Sequence, residues 1–141
     1  MLSFSVMTRT TSAVLVGSLG VLLTGTAIEA HHAFAAAFDA SKKLTIVGVI
    51  TEVKLANPHS WFYVDATGPD GTVVNWGFEA QTPTGLIRNG VRPEVFKLGS
   101  KVTVKGCRAR DPGVNTGAAR ELVLEDGRSF IIGPSCDAPE N

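Results

Sequence analysis

The sequence predicts an all-β domain with one or two short helices, folded as a small barrel of five or six strands and preceded by a signal peptide. Several segments rich in β-branched and aromatic residues alternate between apolar and polar side chains, as strands with one buried face do. Turn sequences rich in Gly, Pro, Asn and Asp separate these segments. The helical signals are short and lie between the third and fourth predicted strands.

Residues 1–30 predict a signal peptide that is removed on export. A basic residue precedes an apolar run over residues 13–23, and small residues follow that run. Cleavage after Ala30 makes His31 the new amino terminus, whereas cleavage after Glu29 or Ala27 leaves a longer start. A retained signal anchor is the alternative, although the run is shorter than the ~20 apolar residues that a spanning helix needs. The expected location is therefore periplasmic or secreted.

The rest of the chain, residues 31–141, is long enough for one domain and too short for two. We expect a lead-in over residues 31–43, the barrel over residues 44–133 and a polar tail over residues 134–141. The 13 basic and 13 acidic residues balance, so the chain lacks the basic surface on which nucleic-acid and anionic-membrane binding depend. We expect no nucleic-acid partner and no stable membrane anchor after processing.

The two cysteines, Cys107 and Cys136, predict a disulfide, because an even number of cysteines in an oxidising compartment favours pairing. Cys107 ends a predicted strand and Cys136 lies in the tail, so the bond would tie the tail to the barrel. A reactive thiol is the alternative, but no histidine lies near either cysteine in the sequence to lower its pKa.

The first three strands follow from alternation and from turn residues. Residues 44–55 predict a long strand that bends at Gly48, and Asn57-Pro58 ends it because proline has no N–H for the ladder. Residues 60–67 and 72–80 then predict a hairpin around the turn of residues 68–71. For residues 33–39 the pattern leaves helix and extended chain equally open.

The second half predicts two helical turns and the remaining strands. Thr82 and Pro83 are suited to the cap and first position of a short helix that ends near residues 89–90. A second helical turn over residues 93–98 leads into a strand over residues 101–108. After a loop over residues 111–117, strands over residues 119–124 and 129–132 flank an Asp126-Gly127 turn. This element order is typical of an OB-like barrel, while a small open sandwich stays the alternative.

Several short motifs occur in a fixed order along the chain. They are His31-His32-Ala33-Phe34, Phe38-Asp39, Gly48, Asn57-Pro58-His59, Asn75-Trp76 through Glu79, Leu98-Gly99, Val102-Thr103-Val104-Lys105-Gly106 and Asp126-Gly127-Arg128. With them the chain resembles a family of small exported bacterial proteins of unknown function, which begin with His-His-Ala/Ser-Phe and carry an Asn-Pro-His motif. The resemblance implies a small secreted β domain and no particular activity. Cys107 and Cys136 depart from that family's usual pattern.

The three histidines, His31, His32 and His59, are the candidate metal ligands. If cleavage follows Ala30, the free amine and imidazole of His31 and one loop imidazole form a three-nitrogen site suited to Cu(II). Such a site resembles the histidine brace of copper proteins. If cleavage follows Glu29, the amine, backbone nitrogens and third-position histidine can also hold Cu(II) or Ni(II). The alternative is that His31 and His32 are a solvated lead-in and that His59 hydrogen-bonds within its loop.

The aromatic residues Trp61, Tyr63 and Trp76 are candidate ligand-binding residues. Aromatic side chains in such barrels stack against ligands. Their alternation also fits core and cross-strand packing, which is the simpler interpretation. Basic residues do not accompany them, so a partner protein or a small apolar or sugar-like ligand is expected rather than nucleic acid.

Acidic and basic groups for catalysis are few. His59, Asp65 and Glu79 are the candidate acid/base set, but Ser60 and His59 are adjacent on a strand and so point to opposite faces. An anion-binding edge of Arg108, Arg110 and Arg120 is an alternative, but nearby acidic residues offset their charge, so a soluble surface of mixed charge is the simpler interpretation. We predict an exported binding or accessory protein that takes up Cu(II) and assign no catalytic residues. The alternatives are a metal-free module that binds a partner protein or small ligand, and, less favoured, an enzyme of unknown substrate.

Overall fold

The computed structural model describes residues 33–137, and the predicted signal peptide, His31 and His32 lie outside them. Residues 33–37 are helical. The elements that follow are β1 (Phe38–Lys54), β2 (Ser60–Thr67), β3 (Val73–Ala80), α1 (Pro83–Arg88), the 3₁₀ helix η1 (Pro93–Phe96), β4 (Lys101–Ala109), β5 (Thr116–Leu124) and β6 (Ser129–Ile131). Within this part of the chain, no helix is long and apolar enough to cross a membrane.

The strands form one sheet that closes on itself. Its order is β3-β2-β1-β4-β5-β6, and β3 also pairs with β5. Every neighbouring pair is antiparallel except β3 and β5, which run parallel from Gly77 opposite Thr116 to Glu79 opposite Ala118. Five strands therefore form a closed barrel, and β6 extends β5 as an extra strand. The OB-like barrel predicted from the element order is confirmed, and the open sandwich is excluded.

The barrel interior is filled by alternate residues of its strands. On β2, Phe62 and Val64 point inward and are buried, and Phe62 lies opposite Phe78 of β3. The ring centroids of Phe62 and Phe78 are 5.5 Å apart, and Phe96 of η1 lies 5.3 Å from Phe62. Burial of these rings supplies the main driving force for closing the barrel.

The short helix α1 begins where the sequence predicts. Thr82 is its N-cap, and its hydroxyl accepts a hydrogen bond of 3.0 Å from the backbone N–H of Gly85. Pro83 occupies the first turn, where its missing N–H costs nothing. Leu86 is buried against the core, so α1 covers one end of the barrel.

Two strands begin earlier than predicted. β1 starts at Phe38 rather than at residue 44, because residues 38 and 39 pair with β4 ahead of an irregularity between Asp39 and Lys43. β5 starts at Thr116 rather than at residue 119, because its first residues form the parallel pairing with β3. Both extensions depend on partners distant in sequence, and local alternation carries no signal for such pairings.

The carboxyl-terminal tail is tied to the barrel wall. Cys107 of β4 and Cys136 form a disulfide with a Cα–Cα distance of 5.7 Å, as the cysteine count predicts. Lys43 Nζ donates to the backbone oxygen of Cys136 and lies 2.9 Å from Asp137 Oδ1. Arg120 donates a hydrogen bond of 2.8 Å to the backbone oxygen of Gly133. These contacts cover the outer side of β4 and β5.

Replacing Gly48 with Ala should strongly destabilise the fold. A Cβ at this position would lie 2.3 Å from the backbone oxygen of Asp65, which cannot move without disturbing the β1 and β2 ladder. We expect the free energy of unfolding in urea to fall by about 3 kcal/mol, at the upper end of overpacking costs. Gly113→Ala is the control, because a Cβ there meets only the Asp111 side chain. An equal loss in both variants would contradict the prediction.

Removing the disulfide should cost stability without changing the fold. The bond closes a loop with a sequence separation of 29 residues. In the chain-entropy model such a cross-link is worth about 3 to 4 kcal/mol. The double variant Cys107→Ala, Cys136→Ala should lose about that much in urea unfolding while keeping its circular dichroism spectrum. Rapid alkylation of both thiols in the untreated wild-type protein would show that the bond is not formed.

Candidate functional site

The histidine His59 lies at the entrance of β2 and faces solvent. It follows the Asn57-Pro58 bond, which is cis, and directly precedes Ser60. Its side chain is 53% exposed, and its Nδ1 atom lies 2.7 Å from Oε1 of Glu79 on β3. One of the three predicted metal ligands is therefore held by a carboxylate.

The hairpin register explains why these two residues meet. Trp61 lies directly opposite Glu79, so His59 is the diagonal neighbour of Glu79 across the hairpin. Ser60 points into the barrel and is buried, which turns the residues on either side of it outward. Glu79 is on the outer face as well, and the short loop brings the imidazole over its carboxylate.

Glu79 is the more enclosed partner of the pair, with 20% of its side chain exposed. Burial raises the pKa of the Glu79 carboxyl above its ordinary value of 4.5, and the imidazole of His59 offsets part of that rise. On β5 the partner of Glu79 is Ala118, and Cys136 Sγ lies 3.8 Å from the backbone oxygen of Ala118. The disulfide-linked tail thus lies beside the strand that borders Glu79.

The contact determines how the imidazole can act. An ionised carboxylate only accepts hydrogen bonds, so Nδ1 of His59 is the donor in this contact, and in a neutral imidazole with that tautomer Nε2 is the nitrogen that has the lone pair. Histidines that bind metals are commonly oriented by a carboxylate in this way. Within residues 33–137 no group of three or more His, Cys, Asp or Glu side chains could hold a metal ion. The pair of His59 and Glu79 alone is therefore not a metal site.

The three aromatic candidates do not share a surface. Trp61 and Tyr63 are on the outer face of β2, whereas Trp76 is opposite the buried Val64 and therefore on the inner face. The Tyr63 ring packs over Gly77, and Lys54 Nζ lies 5.2 Å from its centroid. These contacts give Tyr63 two partners from the protein.

The acid/base candidates are brought together only in part. Asp65 accepts a hydrogen bond of 2.7 Å from Asn75 Nδ2, so its carboxylate is engaged further along the hairpin. The Ser60 hydroxyl is buried and lacks a hydrogen-bond partner in the described part of the chain. It faces the barrel interior, away from His59, as the adjacent positions predict.

Sequence reasoning singled out His59 and Glu79 separately but did not predict that they pair. The signal was available in the hairpin, because the turn of residues 68–71 sets Trp61 opposite Glu79. Counting back from that turn would have placed His59 diagonally from Glu79. Arg108 was also misplaced: the structure directs it toward Trp76 of the inner face rather than onto a mixed surface, with its guanidinium carbon 5.2 Å from the indole ring.

Comparisons with known proteins identify a family and one similar structure. A family model described as "Family of unknown function (DUF6152)" matches residues 20–119. No curated protein matches the chain. Among solved structures, the dimeric N-terminal domain of PriB protein from Thermoanaerobacter tencongensis is similar, with 17% identity and a TM-score of 0.40 over 60% of this chain and 96% of that chain. The expected resemblance to a family of unknown function is confirmed. That the family shares the His-His-Ala/Ser-Phe start and the Asn-Pro-His motif stays a prediction.

Replacing Glu79 with Gln should change the pH dependence of stability in a defined direction. Burial raises the pKa of Glu79 in the folded protein, so the ionised carboxylate is disfavoured by folding and the wild type loses stability as pH rises above about 4.5. The variant lacks this loss, so its free energy of unfolding relative to wild type should increase between pH 4 and pH 7. Urea unfolding at several pH values measures the difference.

The control for this measurement is Glu121→Gln, for which the opposite sign is expected. Hydrogen bonds from Ser129 and Lys105 lower the pKa of Glu121, so its ionised form favours folding. That variant should lose stability relative to wild type above about pH 4.5, and the difference should vanish as the pH falls through the lowered pKa. The same sign in both variants would contradict the assignment of Glu79.

Proposed function

The chain belongs to the DUF6152 family of unknown function, and we propose that it is an exported binding protein that takes up Cu(II) with His59 as one ligand. The membership brings no activity with it, so the proposal depends on the residues of this chain. The other proposed ligands are His31 and His32, at the predicted processing site.

The observation that carries the proposal is the 2.7 Å contact between His59 Nδ1 and Glu79 Oε1. It orients the ring through Nδ1, favours the tautomer with the hydrogen on Nδ1, and leaves Nε2 of an exposed imidazole free to coordinate. An imidazole that only capped its own loop would direct its nitrogens at backbone groups of that loop. Supporting carboxylates of this kind typically change metal affinity about 10- to 100-fold.

The remaining ligands come from the processed amino terminus. A cut after Ala30 gives His31 a free amine beside its own imidazole, and these two nitrogens with His59 Nε2 make a set that suits Cu(II). The Cys107–Cys136 disulfide supports this order of events, because disulfides persist in the compartments where signal peptides have been removed.

The test is a Cu(II) titration of protein exported and processed in cells. Intact mass first establishes the amino terminus, which should correspond to residues 31–141. Calorimetry and electron paramagnetic resonance should then detect one tightly bound equivalent with nitrogen hyperfine structure. His59→Ala and His31→Ala should abolish the tight binding while leaving the circular dichroism spectrum and thermal unfolding nearly unchanged, because the His59 side chain is largely exposed.

The supporting role of Glu79 has a matched control on the same hairpin. Glu79→Gln should weaken copper binding about 10- to 100-fold. Asp65→Asn removes the same charge from the same outer face, where Asp65 contacts Asn75, and should leave the affinity unchanged. Equal losses in both variants would mean that only the general negative charge of this face matters.

Binding no tighter than that of an ordinary surface histidine, or a mass that retains residues 1–30, would overturn the copper proposal. The alternative function would then be a metal-free module that binds a partner protein or small ligand through Trp61 and the adjoining loops.

A further inference from the structure

The side chain of Arg108 lies partly enclosed at one end of the barrel with most of its bonding capacity unused. Its Nε atom is buried and has no hydrogen-bond partner in the described part of the chain. The guanidinium carbon lies 5.2 Å from the Trp76 ring centroid. Its hydrogen bond is from Nη2 to the backbone oxygen of Pro112, at 3.3 Å. A buried N–H without an acceptor costs free energy, so this arrangement favours an incoming acceptor.

The carboxylates nearest to Arg108 in sequence or register are engaged elsewhere. Asp39 lies opposite Arg108 in the ladder, but its Oδ1 atom accepts from the backbone N–H and the hydroxyl of Ser41, and its Oδ2 atom lies 3.7 Å from Lys42 Nζ. Asp111 accepts a hydrogen bond of 2.8 Å from the backbone N–H of Gly113. Arg108 makes no ion pair with any of residues 33–137. The guanidinium therefore lacks a counterion within this part of the protein.

The loop over residues 110–115 can give way to a ligand at low cost. All of its residues are exposed, but the backbone oxygen of Asn115 accepts a hydrogen bond of 2.9 Å from Gly77, so the part that can move outward without disturbing the barrel is residues 111–114. Arg110 anchors the start of this loop through its backbone N–H, which donates a hydrogen bond of 2.9 Å to the backbone oxygen of Ala37. Displacing the Pro112 oxygen would free Nη2 beside the unpartnered Nε of Arg108. These two N–H groups are parallel, and they match the two oxygens of a carboxylate.

We propose that Arg108 and Trp76 form a binding site for a small organic carboxylate. Its two oxygens accept from Nε and Nη2 of Arg108 in place of the Pro112 oxygen. Its apolar part packs at the rim of the barrel beside Trp76. This site is separate from His59 and needs no metal, so it stands or fails independently of copper binding.

The experiment uses the Trp61→Phe variant of the full processed protein, in which Trp76 is the remaining tryptophan. Sodium benzoate is the probe, and sodium chloride at equal ionic strength is the reference. We expect a saturable change in Trp76 emission with benzoate and none with chloride. In this background, Arg108→Lys keeps the charge but loses the planar guanidinium with its two parallel N–H groups. This variant should raise the apparent Kd for benzoate at least about tenfold, the factor for one lost charge-assisted hydrogen bond.

The neighbouring arginine provides a matched control. Arg110→Lys in the same background should leave the benzoate response unchanged, because the Arg110 side chain donates from Nε to the backbone oxygen of Ala35 rather than lying over Trp76. Arg108→Met should abolish the response without lowering the thermal unfolding temperature, since it removes the unpartnered N–H. Three results would overturn the proposal: no saturable response, an equal response in Arg108→Lys, or a response to inorganic phosphate and none to benzoate. Loss of thermal stability in Arg108→Met with an unchanged response would assign Arg108 a structural role only.

Discussion

The parallel pairing between β3 and β5 is the constraint on which the rest of the structure depends. Its register joins Gly77 with Thr116 and Glu79 with Ala118, residues almost forty positions apart in the sequence. Without it, β3 and the first residues of β5 would be unpaired edges of an open sheet, and the inner faces that carry Phe62 and Phe78 would lose part of their cover. Closure converts alternating strands into a filled barrel, so the hydrophobic core and this short ladder stabilise each other.

The same pairing places the two groups from which function is inferred. Glu79 is on the outer face of the ladder, where it holds His59 at 2.7 Å. Arg108 pairs with Gly117, the residue before Ala118 on β5. Its side chain lies on the inner face, where its guanidinium carbon is 5.2 Å from the Trp76 ring centroid. The Cys107–Cys136 disulfide lies between them, because Cys107 adjoins Arg108 and Cys136 lies against Ala118. The cross-link therefore holds the tail against β4, which carries Arg108, and beside Ala118, the partner of Glu79 on β5.

The sequence was informative where the decisive contacts are local. The hairpin of β2 and β3, the Thr82 cap and the Asp126-Gly127 turn follow from residues a few positions apart, and they were predicted. The early starts of β1 and β5 were missed because their partners are distant in the chain. The inward direction of Arg108 was missed although alternation indicates it: Arg108 is in phase with the buried Val102 and Val104 of β4, and the irregularity between Lys105 and Gly106 lies on the β5 side of the pair. A charged side chain predicts an exposed position, and that expectation outweighed the alternation.

The outer face of the hairpin is less suited to ligand binding than its aromatic residues suggest. Tyr63 already packs against Gly77 and Lys54, and Asp65 is bonded to Asn75, so these side chains have protein partners. Among the described residues, His59 Nε2 and the Arg108 guanidinium differ because each retains capacity that its protein contacts do not use. A neutral imidazole nitrogen donates a lone pair to a metal, whereas a guanidinium has no lone pair to donate and binds oxyanions instead. The two groups would therefore select different classes of ligand, and neither ligand would compete for the other site.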